Sequence, residues 1–107
     1  MPPATLSATA RRDLTVATGW IAKDGRKAAL RFQARLKAAV IRLGEHPQTG
    51  VTRPEWAHEI YRFIVLSGFP YLLVYNSQRQ PPVVMRILHG FQDLSEILKT
   101  LPPPEGS

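Results

Sequence analysis

Apolar residues recur along this chain at two different periods, helical up to residue 44 and alternating from residue 59 onward. Leu14, Ala17 and Ile21 stand at helical spacing with Trp20 beside them, after a polar start at Arg11, Arg12 and Asp13, which predicts a helix from about Ala8 to Lys23. Asp24-Gly25 interrupts the pattern. Gly25 can take the left-handed conformation that ends a helix, and Asp24 can cap or turn the chain. Phe32, Leu36, Val40 and Leu43 then repeat at steps of four, four and three, with Ala28, Ala29 and Ala39 keeping that face narrow, which predicts a second helix from about Arg26 to Gly44. A tight turn between the two makes them an antiparallel hairpin.

Glu45 to His58 reads as irregular chain, with His46-Pro47, Thr49-Gly50 and Arg53-Pro54-Glu55 as turns. From Glu59 to Ser67 the pattern alternates, placing Ile60, Arg62, Ile64 and Leu66 on one side and Tyr61, Phe63 and Val65 on the other. Ser67-Gly68-Phe69-Pro70 reverses the chain into a strand from Tyr71 to Asn76, and Ser77 to Pro82 makes a longer reversal into Val83 to His89. Three such strands form an antiparallel meander. Asp93 and Glu96 have capping-box spacing, and Leu94, Ile97, Leu98 and Leu101 give a short terminal helix its apolar face. Ala4 to Ser7 can add an edge strand whose length Pro2 and Pro3 limit. The expected class is therefore α+β: an N-terminal helical hairpin packed on a small antiparallel sheet, built from a short edge strand plus the meander, with a short C-terminal helix. One domain over 1–101 and a Pro-rich flexible tail over 102–107 are expected, because Pro102-Pro103-Pro104 ends the last helix.

Composition narrows the function. Of 107 residues, 44% are hydrophobic and 21% charged, as in folded globular chains. Cys is absent, which excludes disulfides, thiolate chemistry and Cys-ligated zinc. No basic region followed by an apolar run marks the start, and the longest apolar stretch, Phe69 to Tyr75, is far below the roughly 18 residues that suggest a membrane span. The expected location is cytoplasmic. Fourteen Lys plus Arg against 8 Asp plus Glu leave a net charge of +6, which favours anionic partners, either nucleic acid or an acidic protein. Lys27, Arg31, Arg35 and Arg42 fall within an arc of about 80° beside the apolar stripe of the second helix. Such an arc is either a solvated flank whose stems cover apolar edges or a docking strip for an acidic partner.

The motifs follow one family's order. Ala10-x-x-Asp13-Leu14 with Trp20-Ile21-Ala22, then Ala28-Ala29-x-x-Phe32-x-x-x-Leu36, then His46-Pro47-x-x-Gly50 with Arg53-Pro54-Glu55 resemble successive segments of the ParE/RelE toxin superfamily. Ile60-Tyr61-Arg62-Phe63 resembles its first meander strand. The junction Val84 to Leu94, containing His89-Gly90 and Asp93-Leu94, resembles the end of its ParE branch. Two positions depart from the pattern: Asn76 stands where many members place an Arg, and Gln92 where the usual ending reads His-Gly-x-Arg-Asp.

The resemblance implies a toxin of a type II toxin-antitoxin pair of the plasmid-stabilization kind, without cofactor or metal, that binds DNA gyrase and is neutralised by a cognate antitoxin. It implies contact with DNA only through that antitoxin. On this reading Lys27, Arg31, Arg35 and Arg42 meet the antitoxin, and Arg62, Arg86 and Tyr75 face the target. The alternative within the superfamily is a RelE-like endoribonuclease acting on ribosome-bound mRNA, which needs a proton donor, a base and cations for the phosphate. Arg62, Arg86 and His89 are the candidates, provided strand register brings them together. Against it, residues 91–99 contain no Tyr, His or Arg. A third reading is a non-toxic binding module that kept the fold. No phosphate-cradling Gly pattern, His-Glu-x-x-His or Gly-x-Ser-x-Gly is present.

Overall fold

Ser7 begins the first helix and also ties it to the sheet. Its Oγ accepts from the Ala10 backbone N–H at 3.0 Å and donates to the Met85 carbonyl at 3.1 Å. One hydroxyl thus caps a helix and fixes where that helix starts along a strand. The computed structural model describes residues 1–90 and 92–104, so expectations that fall on Phe91 and on Glu105, Gly106 and Ser107 lie outside the described residues.

Strand β1 (Thr5–Leu6) precedes helix α1 (Ala8–Ile21), and a single 3-10 turn (Ala22–Asp24) leads to helix α2 (Arg26–Glu45). At the hairpin turn Gly25 has φ +112°, a backbone state that side chains disfavour, which is why the break falls at this residue. Asp24 makes no capping bond to α2, whose N-cap is Gly25 itself. Strands β2 (Val51–Thr52), β3 (Tyr61–Val65), β4 (Tyr71–Asn76) and β5 (Val83–His89) follow, then helix α3 (Leu94–Leu98).

The sheet has five strands in the order β1-β5-β4-β3-β2. The meander is antiparallel as its short connections require, whereas β1 lies parallel to β5, pairing Thr5 with Val83 and Leu6 with Val84, so the sheet is mixed. β2 lies inside the stretch read as irregular. Its two residues pair with Arg62 and Phe63, too short a run for alternation to reveal.

Central β4 is the apolar run from Tyr71 to Tyr75. Leu73, Val74 and Tyr75 are wholly buried because both sheet faces are covered. On one face α1 and α2 contribute Ala10, Ala17, Phe32, Leu36 and Leu43 to a core with Tyr71, Leu73, Tyr75, Val84 and Ile87. Phe32 sits at its centre, 5.3 Å from the rings of both Phe69 and Tyr71, and burying a side chain of this size stabilises by about 1.5–3 kcal/mol. On the other face Tyr61, Phe63, Val74 and Leu88 pack with Leu98 of α3. Asp93 caps α3 through the Glu96 N–H at 3.4 Å. The Glu96 carboxylate pairs with Lys99 at 2.8 Å, so only one arm of the expected box forms. The Tyr61 hydroxyl donates to the Pro102 carbonyl, fixing the first residue of the Pro-rich segment to the sheet.

Candidate functional site

The sheet residues singled out by sequence are held by specific partners. Arg86 on β5 meets Asp13 on α1 in a two-pronged ion pair, Nε to Oδ2 at 2.7 Å and Nη2 to Oδ1 at 3.0 Å. Asp13 Oδ2 also accepts the Ile87 backbone N–H at 2.9 Å. β1 pairs β5 only at Val83 and Val84, so the ladder edge beyond them needs another acceptor, and the Asp13 carboxylate supplies one.

Tyr75 carries a second clamp. Its hydroxyl donates to the Pro47 carbonyl at 2.7 Å and accepts the Gly50 N–H at 2.8 Å, holding the α2–β2 connection against the sheet. Gly50 has to be glycine there: a Cβ would come within 2.8 Å of the Tyr75 ring and 2.9 Å of the Ile64 side chain. Arg62 completes the arrangement by donating from Nη1 to the Gly50 carbonyl at 2.8 Å, while its buried Nε has no acceptor among the described residues. Burial raises the Tyr75 pKa above 10.0, opposed by the Gly50 hydrogen bond and the Arg62 charge. Burial likewise raises Tyr61 and Tyr71.

Arg62 and Arg86, expected to act together, are each bonded to a different partner. Arg62 is paired with Tyr75 and Arg86 with Val74, adjacent residues of β4. A bulge at Val74/Tyr75 leaves Met85 as the extra residue of β5. Tyr75 is 0% exposed, so a partner at this place meets the loop that the ring supports and not the ring. Of the three residues expected to face the target, Arg62 and Tyr75 secure the α2–β2 loop and Arg86 secures α1. His89 pairs with Tyr71 across the strands, ring edge against ring face at 5.2 Å, and its backbone N–H donates to the Gln92 side chain. Gln92 thus closes the turn after β5. His46 and His58, given no role by sequence, fall in the connections flanking β2.

The cations of α2 are placed differently. Lys27, Arg31, Arg35 and Arg42 are all exposed, and among the described residues none takes part in an ion pair or hydrogen bond. Beside them a groove of about 950 Å³ lies between the hairpin tip, the β3–β4 turn and the end of β5. Val16, Trp20, Phe69, Tyr71 and His89 line it, and Arg31 stands at its rim. Trp20 is 61% exposed with the Lys23 ammonium 3.9 Å above its ring, so this aromatic of the first helix is outside the core that its spacing suggested. The groove depends on the turn at Phe69 folding back onto the hairpin, where its ring meets Phe32 of α2, a long-range contact that no local pattern encodes.

Among the described residues no group of His, Cys, Asp or Glu could hold a metal ion, and no helix is long and apolar enough to cross a membrane. Residues 4–94 match the family model described as the ParE toxin of type II toxin-antitoxin system, parDE. No curated protein matches the sequence.

Proposed function

The chain belongs to the family of ParE toxins of type II toxin-antitoxin systems, and from that membership we propose that it inhibits DNA gyrase by binding, in the cytoplasm, until a cognate antitoxin neutralises it. The observation that favours binding over bond breaking is the dispersal of the sheet cations. Transfer of a phosphoryl group needs several positive groups converging on one phosphate. Here Arg62 is held by the Gly50 backbone carbonyl, and Arg86 by the Asp13 carboxylate of α1. Lys27, Arg31, Arg35 and Arg42 stand exposed along α2, in a line suited to gripping a macromolecule.

The antitoxin reading rests on the same line. An acidic segment pairing its carboxylates with Arg31 and Arg35 exchanges solvated charges for interfacial ones, which speeds encounter and fixes orientation. Two experiments test the proposal. Induced expression should arrest growth, and the purified protein should block gyrase supercoiling while leaving ribosome-bound mRNA intact. Cleavage of the mRNA with gyrase unaffected would replace this reading with the nuclease one, and growth without arrest would replace it with the binding-module one. Reversing Arg31 and Arg35 to Glu should weaken antitoxin binding at physiological salt, whereas unchanged affinity would remove the strip from the interface.

A further inference from the structure

Two donors stand at the groove beside the hairpin tip without a partner among the described residues. Tyr71 is 7% exposed and lines the groove, yet its hydroxyl bonds no described residue. Burial raises its pKa above 10.0, so near neutral pH the hydroxyl keeps its proton and can donate. A buried hydroxyl left unpaired is costly, so this one takes its partner from whatever fills the groove, water or ligand. Arg31 is the second donor, exposed at the rim and in no ion pair.

The walls around these donors are mainly apolar and aromatic. Val16 and Trp20 of α1, 62% and 61% exposed, form one wall, and Phe69 and Pro70 of the β3–β4 turn form another. Lys23 covers the Trp20 ring at 3.9 Å but does not line the groove, so the indole is open on its groove side. Phe69 and Tyr71 each pack on the buried Phe32 at 5.3 Å, which fixes the aromatic lining before anything binds. A pre-formed apolar groove with a few polar groups at set places is the form of a small-molecule site, and about 950 Å³ is room for a drug-sized ligand. Charge narrows the class further. Asp13 is neutralised by its pair with Arg86, which leaves Arg31 to receive one anionic group and Asp24 to repel a second.

We propose that this groove binds a small planar aromatic carboxylate with a single negative charge. Its ring packs against Trp20, its carboxylate meets Arg31, and one of its acceptors takes the hydrogen bond of the Tyr71 hydroxyl. The site stands apart from the gyrase and antitoxin readings, and its failure leaves both untouched.

The test titrates the full chain with naphthoate, with its neutral amide and with naphthalene dicarboxylate. The indole N–H of Trp20 is followed by NMR. Trp56 is the internal control, because it packs at 5.7 Å on Phe63 of the other sheet face. Naphthoate should shift the Trp20 signal to saturation with one site per chain while Trp56 moves little. It should bind about 3–5-fold tighter than the amide. The dianion, which the chain's net charge of +6 would favour, should bind no tighter than naphthoate. In calorimetry, Trp20→Ala should weaken all three ligands by about 3–10-fold. Arg31→Gln should bring naphthoate down to the affinity of the amide, and Tyr71→Phe should weaken naphthoate by about 2–10-fold. The last two variants alter only a rim side chain and a hydroxyl that holds no described residue, so they carry the test even if Trp20→Ala fails to fold. Equal shifts at the two indoles, no saturation by millimolar naphthoate, or affinity unchanged in both Arg31→Gln and Tyr71→Phe would overturn the site. Tighter binding of the dianion would reduce it to general attraction by a basic chain, which also overturns it.

Discussion

Replacing Tyr75 by Phe removes one oxygen and leaves the ring in place, so it isolates the clamp on the α2–β2 connection from the packing of the core. The oxygen serves two backbone groups at once, the Pro47 carbonyl at 2.7 Å and the Gly50 N–H at 2.8 Å. Gly50 is buried and Pro47 half-buried, so water can replace part of the lost bonding at Pro47 but little at Gly50. A buried polar group left without a partner costs about 1–3 kcal/mol, and the half-buried carbonyl adds a smaller amount, which together predicts a loss of about 2–3 kcal/mol. For a domain of this size each kcal/mol shifts Tm by about 4–8 °C, so the melt should fall by about 10–20 °C. Urea denaturation followed by Trp fluorescence measures the free energy, and amide exchange at Gly50 and Val51 should quicken more than in β4. Tyr71→Phe is the matched control. Its ring is buried in the same core, but its hydroxyl bonds no described residue, so its loss should stay within about 0.5 kcal/mol. Equal effects of the two substitutions would refute the clamp.

Asp13→Ala removes the acceptor for Arg86 and for the Ile87 N–H, leaving a half-buried guanidinium unpaired, and should cost about 2–4 kcal/mol in denaturant melts. A cost under about 0.5 kcal/mol would mean that solvent replaces the carboxylate. Tyr61, Tyr71 and Tyr75 should ionise later than free tyrosine in an absorbance titration, because burial raises all three from 10.0. Since the unfolded chain gives up these protons first, their stabilising contribution is complete below pH 10.0 and is lost as pH rises through the higher folded-state values; stability flat across that window would contradict the assignment. A general acid or base contributes about 10²–10⁴-fold to a reaction. His89→Gln should therefore leave growth arrest within a few-fold of the unaltered chain if toxicity is a binding effect, and a loss of that larger size in a folded variant would favour the nuclease.

Periodicity made the hairpin, the meander and the closing helix legible, because each element buries one face and that face must recur at the element's own period. The alternation of β3 and the apolar run of β4 needed nothing from elsewhere in the chain. What stayed hidden was set by partners distant in sequence. β2 is two residues long and is a strand only because Arg62 and Phe63 lie opposite. Arg62 and Arg86 look alike as charges in apolar strands, yet register puts one against Gly50 and the other against Asp13, and neither assignment follows from spacing. Trp20 stands beside the apolar residues of its helix in sequence yet lies outside the core, at a groove whose other wall comes from the β3–β4 turn. The cationic arc of α2 was readable because an isolated helix fixes its own angular geometry.

Asp13 grips a backbone amide and a guanidinium of the same strand with one carboxylate. Fastened there and at Ser7, the first helix behaves as an outrigger lashed to the hull: whatever lays hold of the paired helices from outside also takes the sheet in tow. A ligand seated wholly on the helical side therefore holds the sheet as well, without ever reaching across to the surface under α3.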